Sequence, residues 1–380
     1  MGLTISWEGL RELAAFRAEN GCAITVYVDL DPSVSPTPRD AATRINALLD
    51  EGRRHASAAS RNLTHEQRRA LEDDLERIRA YRDQDFSREG ARGLGLFAAK
   101  LDNVWKVLPL IESVPDAIKI ASEFYLAPLI PLVGRGDGAL VAVVGRERGH
   151  LYRLQGGRLR DLVDRTEAQP GKHDQGGWSQ AGYQRHIEEL VGRHLRDVAE
   201  ELDRHVRRLQ SPRVVIVSSE ETRADFDDLL SNETRNALAG WTHAEAHASP
   251  AELFAAVQPV LEAWRERQEE KVIARWREEQ GRNARAAAGW RQTLESASDG
   301  RVETLLFAEG AERAAYKCPE CGRASLDGGS CPLDGVRMEP ESNGLDLAIH
   351  QTLRHGGTVW AVRHHHDLEP VEGIGALLRY

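Results

Sequence analysis

The chain has 380 residues, enough for two or three domains that each bury a core of their own. Charged residues make up 29% and apolar residues 41%, the balance of an ordinary folded protein. The formal net charge of −10 excludes a globally basic nucleic-acid binder, so any contact with RNA has to come from local patches.

Two features of the composition bear on the cellular compartment. The start of the chain lacks a basic segment followed by an apolar run, and the longest apolar stretch, 124–133, is interrupted by Pro128 and Pro131. Four cysteines, one isolated and three clustered, do not make a disulfide framework. We therefore expect a cytoplasmic protein that makes no membrane contact.

Residues 1–133 are predicted to form an α+β domain without catalytic motifs. They contain no carboxylate pair, no Cys/His cluster and no phosphate loop, which favours a binding or scaffold domain. The hydrophobic patterns predict these elements: helices at 1–20, 39–56 and 65–81, and strands at 22–30, 93–99 and 104–110, the last two paired.

Residues 139–296 are predicted to form a middle α/β domain after a linker at 134–138. Three strands (139–144, 150–154 and 159–163) precede a long helix with an apolar stripe, and a short buried strand follows at 214–217. Further helices are predicted at 222–230 and 251–265. From Glu262 to about Ser296 the helix is predicted to continue as a charged run that carries Trp264, Trp276 and Trp290. Such a run usually forms a solvated face, with RNA binding as the alternative.

The most unusual stretch, 169–180, lies just before the long helix. It has no apolar periodicity and contains the tandem Gly176 and Gly177, which permit close approach of a ligand to the backbone. Ser179 and Gln180 fall at the helix N-terminus, where an anionic partner is favoured. A local basic excess surrounds them, formed by Arg165, Lys172, His173, Arg185 and His186. The alternative is a surface loop in which Ser179 merely caps the helix.

Residues 301–380 are predicted to form a second, small α/β unit that carries a cysteine cluster. The run Cys318-Pro-Glu-Cys321-Gly is a knuckle, and Cys331-Pro-Leu-Asp334-Gly repeats it with Asp in place of the second Cys. Three thiolates and one carboxylate can hold zinc in a closed, structural site. The alternative is a decayed site whose turns are kept by packing alone. His364, His365 and His366 are consecutive and are expected to be exposed loop residues, since they cannot all face one ion.

Three segments resemble archaeo-eukaryotic class-1 peptide chain release factors over residues 139–380. The segments 302–306, 316–322 and 373–380 are similar to the opening strand, the zinc-bearing insertion and the closing segment of the family's third domain. The loop Gly176-Gly-Trp-Ser-Gln180 is similar to the peptidyl-transferase loop of its middle domain. The resemblance implies an α/β (α+β) protein of three domains: an N-terminal α+β domain, a ribonuclease-H-like middle domain and an L7Ae-like C-terminal domain.

The loop departs from the family pattern, in which Gly-Gly-Gln is continuous, because Trp178 and Ser179 intervene here. This longer form resembles the bacterial branch and the relatives that cleave peptidyl-tRNA on stalled ribosomes. No Asn-Ile-Lys-Ser or comparable codon-reading motif occurs in residues 1–133, which argues against codon-dependent termination.

The resemblance therefore implies hydrolysis of the peptidyl-tRNA ester, with the ribosome and tRNA as partners and a translational GTPase as a further candidate partner. Gly176 and Gly177 would approach the tRNA 3′ end, and Gln180 would place a water beside the ester carbonyl. Ser179 would steady the loop, and phosphate contacts are expected from Lys172, His173, Arg165 and Arg185. The alternative is a non-catalytic hibernation factor of the same family, akin to Balon, that occupies the A site of idle ribosomes.

Overall fold

The chain folds into two compact units, one formed by Met1–Gly134 with Gln268–Tyr380 and the other by Arg135–Arg267. The structure, a computed structural model, describes residues 7–59, 63–84, 86, 91–110, 112–133, 138–155, 158–166, 180–209, 212–245 and 247–380, without the side chains of 57–59 and 180–184. It confirms a mixed α/β protein with several sheets.

The N-terminal section is a four-stranded antiparallel sheet covered by helices on one face. Its elements are α1 (Trp7–Ala15), β1 (Ala23–Asp29), α2 (Pro38–Ala59), α3 (His65–Gln84), β2 (Gly93–Ala99), β3 (Val104–Leu110) and β4 (Ala117–Ala121). The strand order is β3-β2-β1-β4. Ile24, Val26 and Val28 point to one face and pack with α2 and α3, while Tyr27 points to the other face. The predicted pairing of β2 with β3 is confirmed.

The second unit contains a five-stranded sheet in the order β7-β6-β5-β8-β9. Its elements are β5 (Leu140–Val144), β6 (Gly149–Gln155), β7 (Arg158–Asp164), α4 (Gln180–Val206), β8 (Val214–Val217), α5 (Glu220–Asp227), α6 (Asn232–Ala237), β9 (Leu238–Thr242) and α7 (Pro250–Gly281), which ends in the first unit. β6 is antiparallel to its neighbours, whereas β5, β8 and β9 are parallel.

The C-terminal section contains a mixed four-stranded sheet and a smaller three-stranded one. Its elements are β10 (Ala286–Ala288), α8 (Gly289–Ser298), β11 (Val302–Ala308), β12 (Ala315–Lys317), β13 (Ala324–Ser325), β14 (Glu339–Glu341), α9 (Gly344–Arg354), β15 (Thr358–Val362) and β16 (Ile374–Leu378). The larger sheet has the order β10-β16-β11-β15 and the smaller one β13-β12-β14.

The prediction of one helix from Glu262 to Ser296 is wrong, because α7 ends at Gly281. Asn283 adopts a left-handed conformation (φ 52°), and the Ala284 N–H donates to Glu279 O in a helix-ending turn. β10 then pairs with β16, so residues 286–296 lie in the C-terminal sheet and its covering helix. The division into the domains 1–133, 139–296 and 301–380 stays a prediction.

Trp276 and Trp290 contribute to packing rather than to an exposed face. Each side chain is 3% exposed, and the indole N–H groups donate to Ala287 O (3.0 Å) and Glu372 O (3.1 Å), respectively. These two aromatic rings are therefore not presented to an RNA.

One hydrophobic core joins the N-terminal and C-terminal sections of the first unit. Leu10 and Leu13 of α1, together with Phe124, share this core with Trp290 of α8 and Ile349 of α9. Burial of such side chains is worth about 1.5–3 kcal/mol each, which makes this shared core a large stabilising contact.

Polar side chains of α9 bind the backbone of the N-terminal section across this core. Asp346 Oδ1 accepts from the N–H groups of Leu126 (2.8 Å) and Ala127 (3.1 Å). The His350 imidazole is bonded to Phe124 O (Nε2, 2.7 Å) and Ala14 O (Nδ1, 3.3 Å). A single helix, α9, thereby provides the hydrogen-bond partners of these buried backbone N–H and C=O groups of the N-terminal section.

Glu123 is a buried carboxylate held by two cations from the C-terminal section. It is 8% exposed, and its oxygens accept from Lys317 Nζ (2.7 Å) and Arg354 Nη2 (3.0 Å). Burial by itself raises the pKa of Glu123, but His350, Lys317 and Arg354 offset it and bring the pKa down to about 2. The charged form is therefore the one that the fold stabilises.

This lowered pKa predicts acid sensitivity of the first unit. Glu123 stabilises the fold above its unfolded pKa of about 4.5, and the contribution of about 3 kcal/mol is lost as the pH falls towards 2. We expect the free energy of unfolding to fall over this window in the native protein, and much less in Glu123→Gln. The exposed Glu339→Gln should behave like the native protein in urea titrations at each pH. A Glu123→Gln protein with the native pH dependence would contradict the assignment.

None of the described helices is long and apolar enough to cross a bilayer.

Candidate functional site

The glycine-rich stretch lies between β7 and α4 in the second unit. Gly176, Gly177, Ser179, Lys172 and His173 lie outside the described residues. Gln180 is the first residue of α4, and its backbone, though not its side chain, is described. The first N–H groups of a helix have no partner within the helix, so the start of α4 offers donors and a positive dipole end.

The apolar stripe predicted for α4 is confirmed, and it fixes this helix on the sheet. The buried members of the stripe are Val191, Leu195, Val198, Leu202 and Val206. They pack with residues of β5, β6 and β8 in one core. The buried stripe holds α4 on the sheet from Val191 to Val206, the C-terminal part of this 27-residue helix.

Arg165 joins the end of β7 to α4. Its backbone N–H donates to Gly149 O (2.6 Å), and its guanidinium donates to Glu201 Oε2 (2.8 Å). Glu201 is 5% exposed and also accepts from Arg204 (2.9 Å). Burial raises the pKa of Glu201, but the hydrogen bond from Arg165 and the charge of Arg204 lower it overall. Arg165 was proposed for RNA contact, and the structure gives it a carboxylate partner within the fold.

Sequence reasoning missed Glu201, although a signal was present. Glu201 follows Val198 by three residues and therefore falls on the apolar face of α4. A carboxylate in that position is normally paired. By contrast, Arg185 lies exposed on the first turns of α4, as a phosphate contact would require.

The cysteine cluster forms two knuckles with the same backbone pattern. In the first, the Cys318 N–H donates to Arg323 O (2.8 Å) and the Gly322 N–H to Cys318 O (2.9 Å). In the second, the Cys331 N–H donates to Val336 O (2.8 Å) and the Gly335 N–H to Cys331 O (2.9 Å). The two turns have positive φ values at their glycines, 76° at Gly322 and 75° at Gly335, where a side chain would be strained.

The knuckles bring four potential metal ligands together. One atom from each of Cys318, Cys321, Cys331 and Asp334 lies within 4.8 Å of the others. Cys318 Sγ is 3.2 Å from Asp334 Oδ2, and Cys321 Sγ is 3.5 Å from Cys331 Sγ. A tetrahedral zinc ion separates its ligand atoms by roughly 3.3–3.8 Å, so this donor set fits it. The hydrogen bond from the Val336 N–H, and to a smaller extent those from the cysteine thiols, lower the pKa of Asp334 to about 2.

Contacts from both sections of the first unit surround these knuckles. The Arg17 guanidinium donates to Pro319 O (2.8 Å), and Gln351 Nε2 of α9 donates to Gly322 O (2.6 Å). Lys317, which binds Glu123, directly precedes Cys318. The cluster therefore lies where the N-terminal section, α9 and the small sheet meet.

The three consecutive histidines are not part of a metal cluster among the residues that the structure describes. His364 and His366 are exposed, as predicted, whereas His365 is partly buried with Nε2 3.3 Å from Glu270 Oε2.

Comparisons with known proteins agree with this architecture. Residues 125–262 match the model of the bacterial archaeo-eukaryotic release factor family 10. Peptide chain release factor subunit 1 of Methanobrevibacter smithii is 24% identical over 330 residues, which covers 82% of this chain and 77% of that protein. The same protein from Archaeoglobus fulgidus is 23% identical over 325 residues, covering 83% of this chain and 78% of that protein.

Two solved structures of this class are also similar. The archaeal translation termination factor aRF1 is 17% identical and has a TM-score of 0.27, with 100% of this chain and 99% of that chain covered. Pelota from Archaeoglobus fulgidus is 14% identical and has a TM-score of 0.35, with 78% and 81% covered.

These sequence relatives define the class that the chain resembles, the archaeo-eukaryotic peptide chain release factors. Within that class, residues 125–262 are similar to the bacterial branch of the family, through the model of family 10.

The Arg165–Glu201 contact generates a stability prediction. Glu201→Gln removes the charge that Arg165 and Arg204 share, so we expect the free energy of unfolding to fall by about 1–2 kcal/mol. Glu200→Gln, which alters the adjacent but exposed carboxylate, should leave it unchanged. Urea denaturation of both variants measures the difference. Equal stabilities would mean that the contact contributes nothing to the fold.

Proposed function

We propose that the protein hydrolyses the ester of peptidyl-tRNA on stalled ribosomes without reading a stop codon. The observation that carries this proposal is the Gly176-Gly-Trp-Ser-Gln180 sequence, which ends at the first residue of α4 in a protein of the release-factor family. Residues 1–133 lack a codon-reading motif, which supports the codon-independent form.

The chemistry needs little from side chains. Tandem glycines allow the loop backbone to lie against the tRNA 3′ end, and Gln180 places a water beside the ester carbonyl. The carbonyl oxygen gains negative charge as the water attacks. Backbone N–H groups at the start of α4, at the positive end of the helix dipole, stabilise that charge. Lys172, His173 and Arg185 contact phosphates, and Ser179 steadies the loop.

The rigid support of α4 fits this mechanism. Water placement to within a fraction of an ångström requires a loop that is fixed at its ends. Before the loop, Arg165 is held by Glu201, and after it α4 is held on the sheet by the buried stripe that begins at Val191.

Release of labelled peptide from stalled ribosome–nascent-chain complexes tests the proposal. Gln180→Ala and Gly177→Ala should lower the release rate by about 100-fold, because each removes a group that acts in the transition state. Gln184→Ala makes the same chemical change one turn along α4 and should retain activity. Cosedimentation should show ribosome binding within about twofold of the native protein for all three variants.

The same assay distinguishes hydrolysis from the hibernation alternative. The lack of a codon-reading motif is compatible with both functions. A hydrolase should prefer ribosomes with peptidyl-tRNA in the P site. Tight binding to vacant ribosomes, with no release and no effect of Gln180→Ala, would favour a non-catalytic factor and contradict hydrolysis.

We further propose that Cys318, Cys321, Cys331 and Asp334 hold a structural zinc ion. The pair of equivalent knuckles and the ligand separations support it. With all four ligands from the protein, the ion would have no open position, so it would fix the two turns and take no part in hydrolysis.

Metal analysis and chelation test the zinc site. We expect about one zinc per chain, and removal by a chelator should lower the melting temperature by at least about 5 °C. Asp334→Asn should weaken retention of the metal, whereas Asp327→Asn in the same insertion should not. A metal-free protein that melts at the native temperature would show that packing alone keeps the turns.

A further inference from the structure

A half-open groove runs between α4 and α5 in the second unit, at the end of β5. Its volume is about 590 Å³, which is sufficient for a few side chains of another molecule. Its apolar lining consists of the half-buried Leu229 beyond α5 and, beneath it, of the largely buried α4 side chains Val191 (8% exposed) and Leu195 (2% exposed), which also belong to the core. Gly192, also in the wall, leaves space, since a Cβ placed there meets no atom nearer than Arg196 Nη2 at 4.0 Å.

The rim of this groove carries more negative than positive charge. Glu188, Glu221, Asp225 and Asp228 line it together with Arg146 and Arg196, and all six side chains are exposed. In the part of the chain that the structure describes, none of the four carboxylates forms an ion pair. Arg196 Nε instead donates to Gly192 O (3.0 Å) along its own helix.

Three of these carboxylates form a line that is unfavourable for the isolated helix. Glu221, Asp225 and Asp228 are spaced by four and three residues and so lie on one face. Like charges at this spacing destabilise a helix, and Asp225 and Asp228 also lie near its negative end. A cationic partner would remove both penalties.

The chemistry of the groove selects the kind of partner. Phosphates would be repelled by the carboxylates, which disfavours RNA. A divalent cation is also disfavoured, because the only group of metal-ligating atoms that converges among the described residues is the Cys318 cluster. An apolar wall below an acidic rim fits a basic protein segment that also carries aliphatic side chains.

We propose that this groove docks a basic, leucine-bearing segment of a partner protein. The aliphatic side chains of the partner fill the space above Gly192, and its arginine or lysine side chains pair with Asp225 and Asp228. Occupancy of this groove is independent of ester hydrolysis, because none of the groove residues belongs to the glycine-rich loop.

Substitutions at one residue make the sharpest test. Gly192→Leu fills the groove, whereas Gly192→Ala leaves most of it open and raises helix propensity. The probe is a fluorescein-labelled peptide of about twelve residues composed of Arg, Leu and Ala, measured by fluorescence anisotropy. We expect Gly192→Ala to bind like the native protein and Gly192→Leu to bind at least about tenfold more weakly.

Charge variants provide a second, independent test that does not alter packing. The double variant Asp225→Asn, Asp228→Asn should bind the peptide about tenfold more weakly and lose most of the salt dependence. Glu200→Gln, an exposed carboxylate of α4 outside the groove, is the matched control and should have little effect.

Control ligands decide the outcome. Replacement of Leu by Ser in the peptide should weaken binding, and a single-stranded RNA or spermine should not compete for the groove. The proposal is overturned if the Leu-to-Ser peptide binds equally well, if RNA displaces the peptide, or if both Gly192→Leu and the Asp225/Asp228 variant bind like the native protein.

Discussion

The first unit depends on a buried charge that is neutralised across its two sections. Glu123 comes from the N-terminal section, and Lys317 and Arg354 come from the C-terminal section. At 8% exposure, loss of either cation within the folded unit would leave this carboxylate incompletely paired, at a cost of up to several kcal/mol, so each section is matched to the other at this position. α9 adds to this with Asp346 and His350, which satisfy backbone groups of the N-terminal section.

The N-terminal and C-terminal sections therefore form one compact unit, whereas residues 135–267 form a second unit with a sheet of its own. The glycine-rich stretch belongs to that segment in sequence, and the residues on either side of it, Arg165 and α4, are held by contacts within the second unit. The cysteine knuckles belong to the other unit, where Lys317 connects them in sequence to the Glu123 contact. The contacts that hold Arg165 and α4 are thus local to the second unit, whereas the contacts around the knuckles connect distant parts of the first unit.

The sequence predicted the elements whose signal is local. Periodicity, or spacing of a few residues, predicted β1, β2, β3, the α4 stripe and both knuckles. In the structure, the boundaries of these elements lie within a few residues of the predicted ones. The end of α7 was missed because a charged helical pattern continues past Gly281, although the left-handed Asn283 terminates the helix. The Glu123–Lys317 pair could not be predicted from sequence, since 194 residues separate the two and no hydrophobic period connects them.

Arg165 was predicted to contact RNA because a basic residue beside a glycine-rich loop commonly binds phosphate. Its partner Glu201 lies 36 residues away and becomes visible only when β7 and α4 are packed together.

The proposed function requires an acidic chain to separate its charges. With a net charge of −10, the protein would be repelled by phosphates over most of its surface, so productive contact depends on where the basic residues are concentrated. The stretch from Arg165 to His186 concentrates them at the loop, whereas the carboxylates of α5 make the α4–α5 groove unsuitable for RNA. Both regions include α4, the first at its N-terminal end and the second along its middle. Under the two proposals, the basic start of α4 faces nucleic acid, and the acidic groove along its middle accepts a basic protein segment.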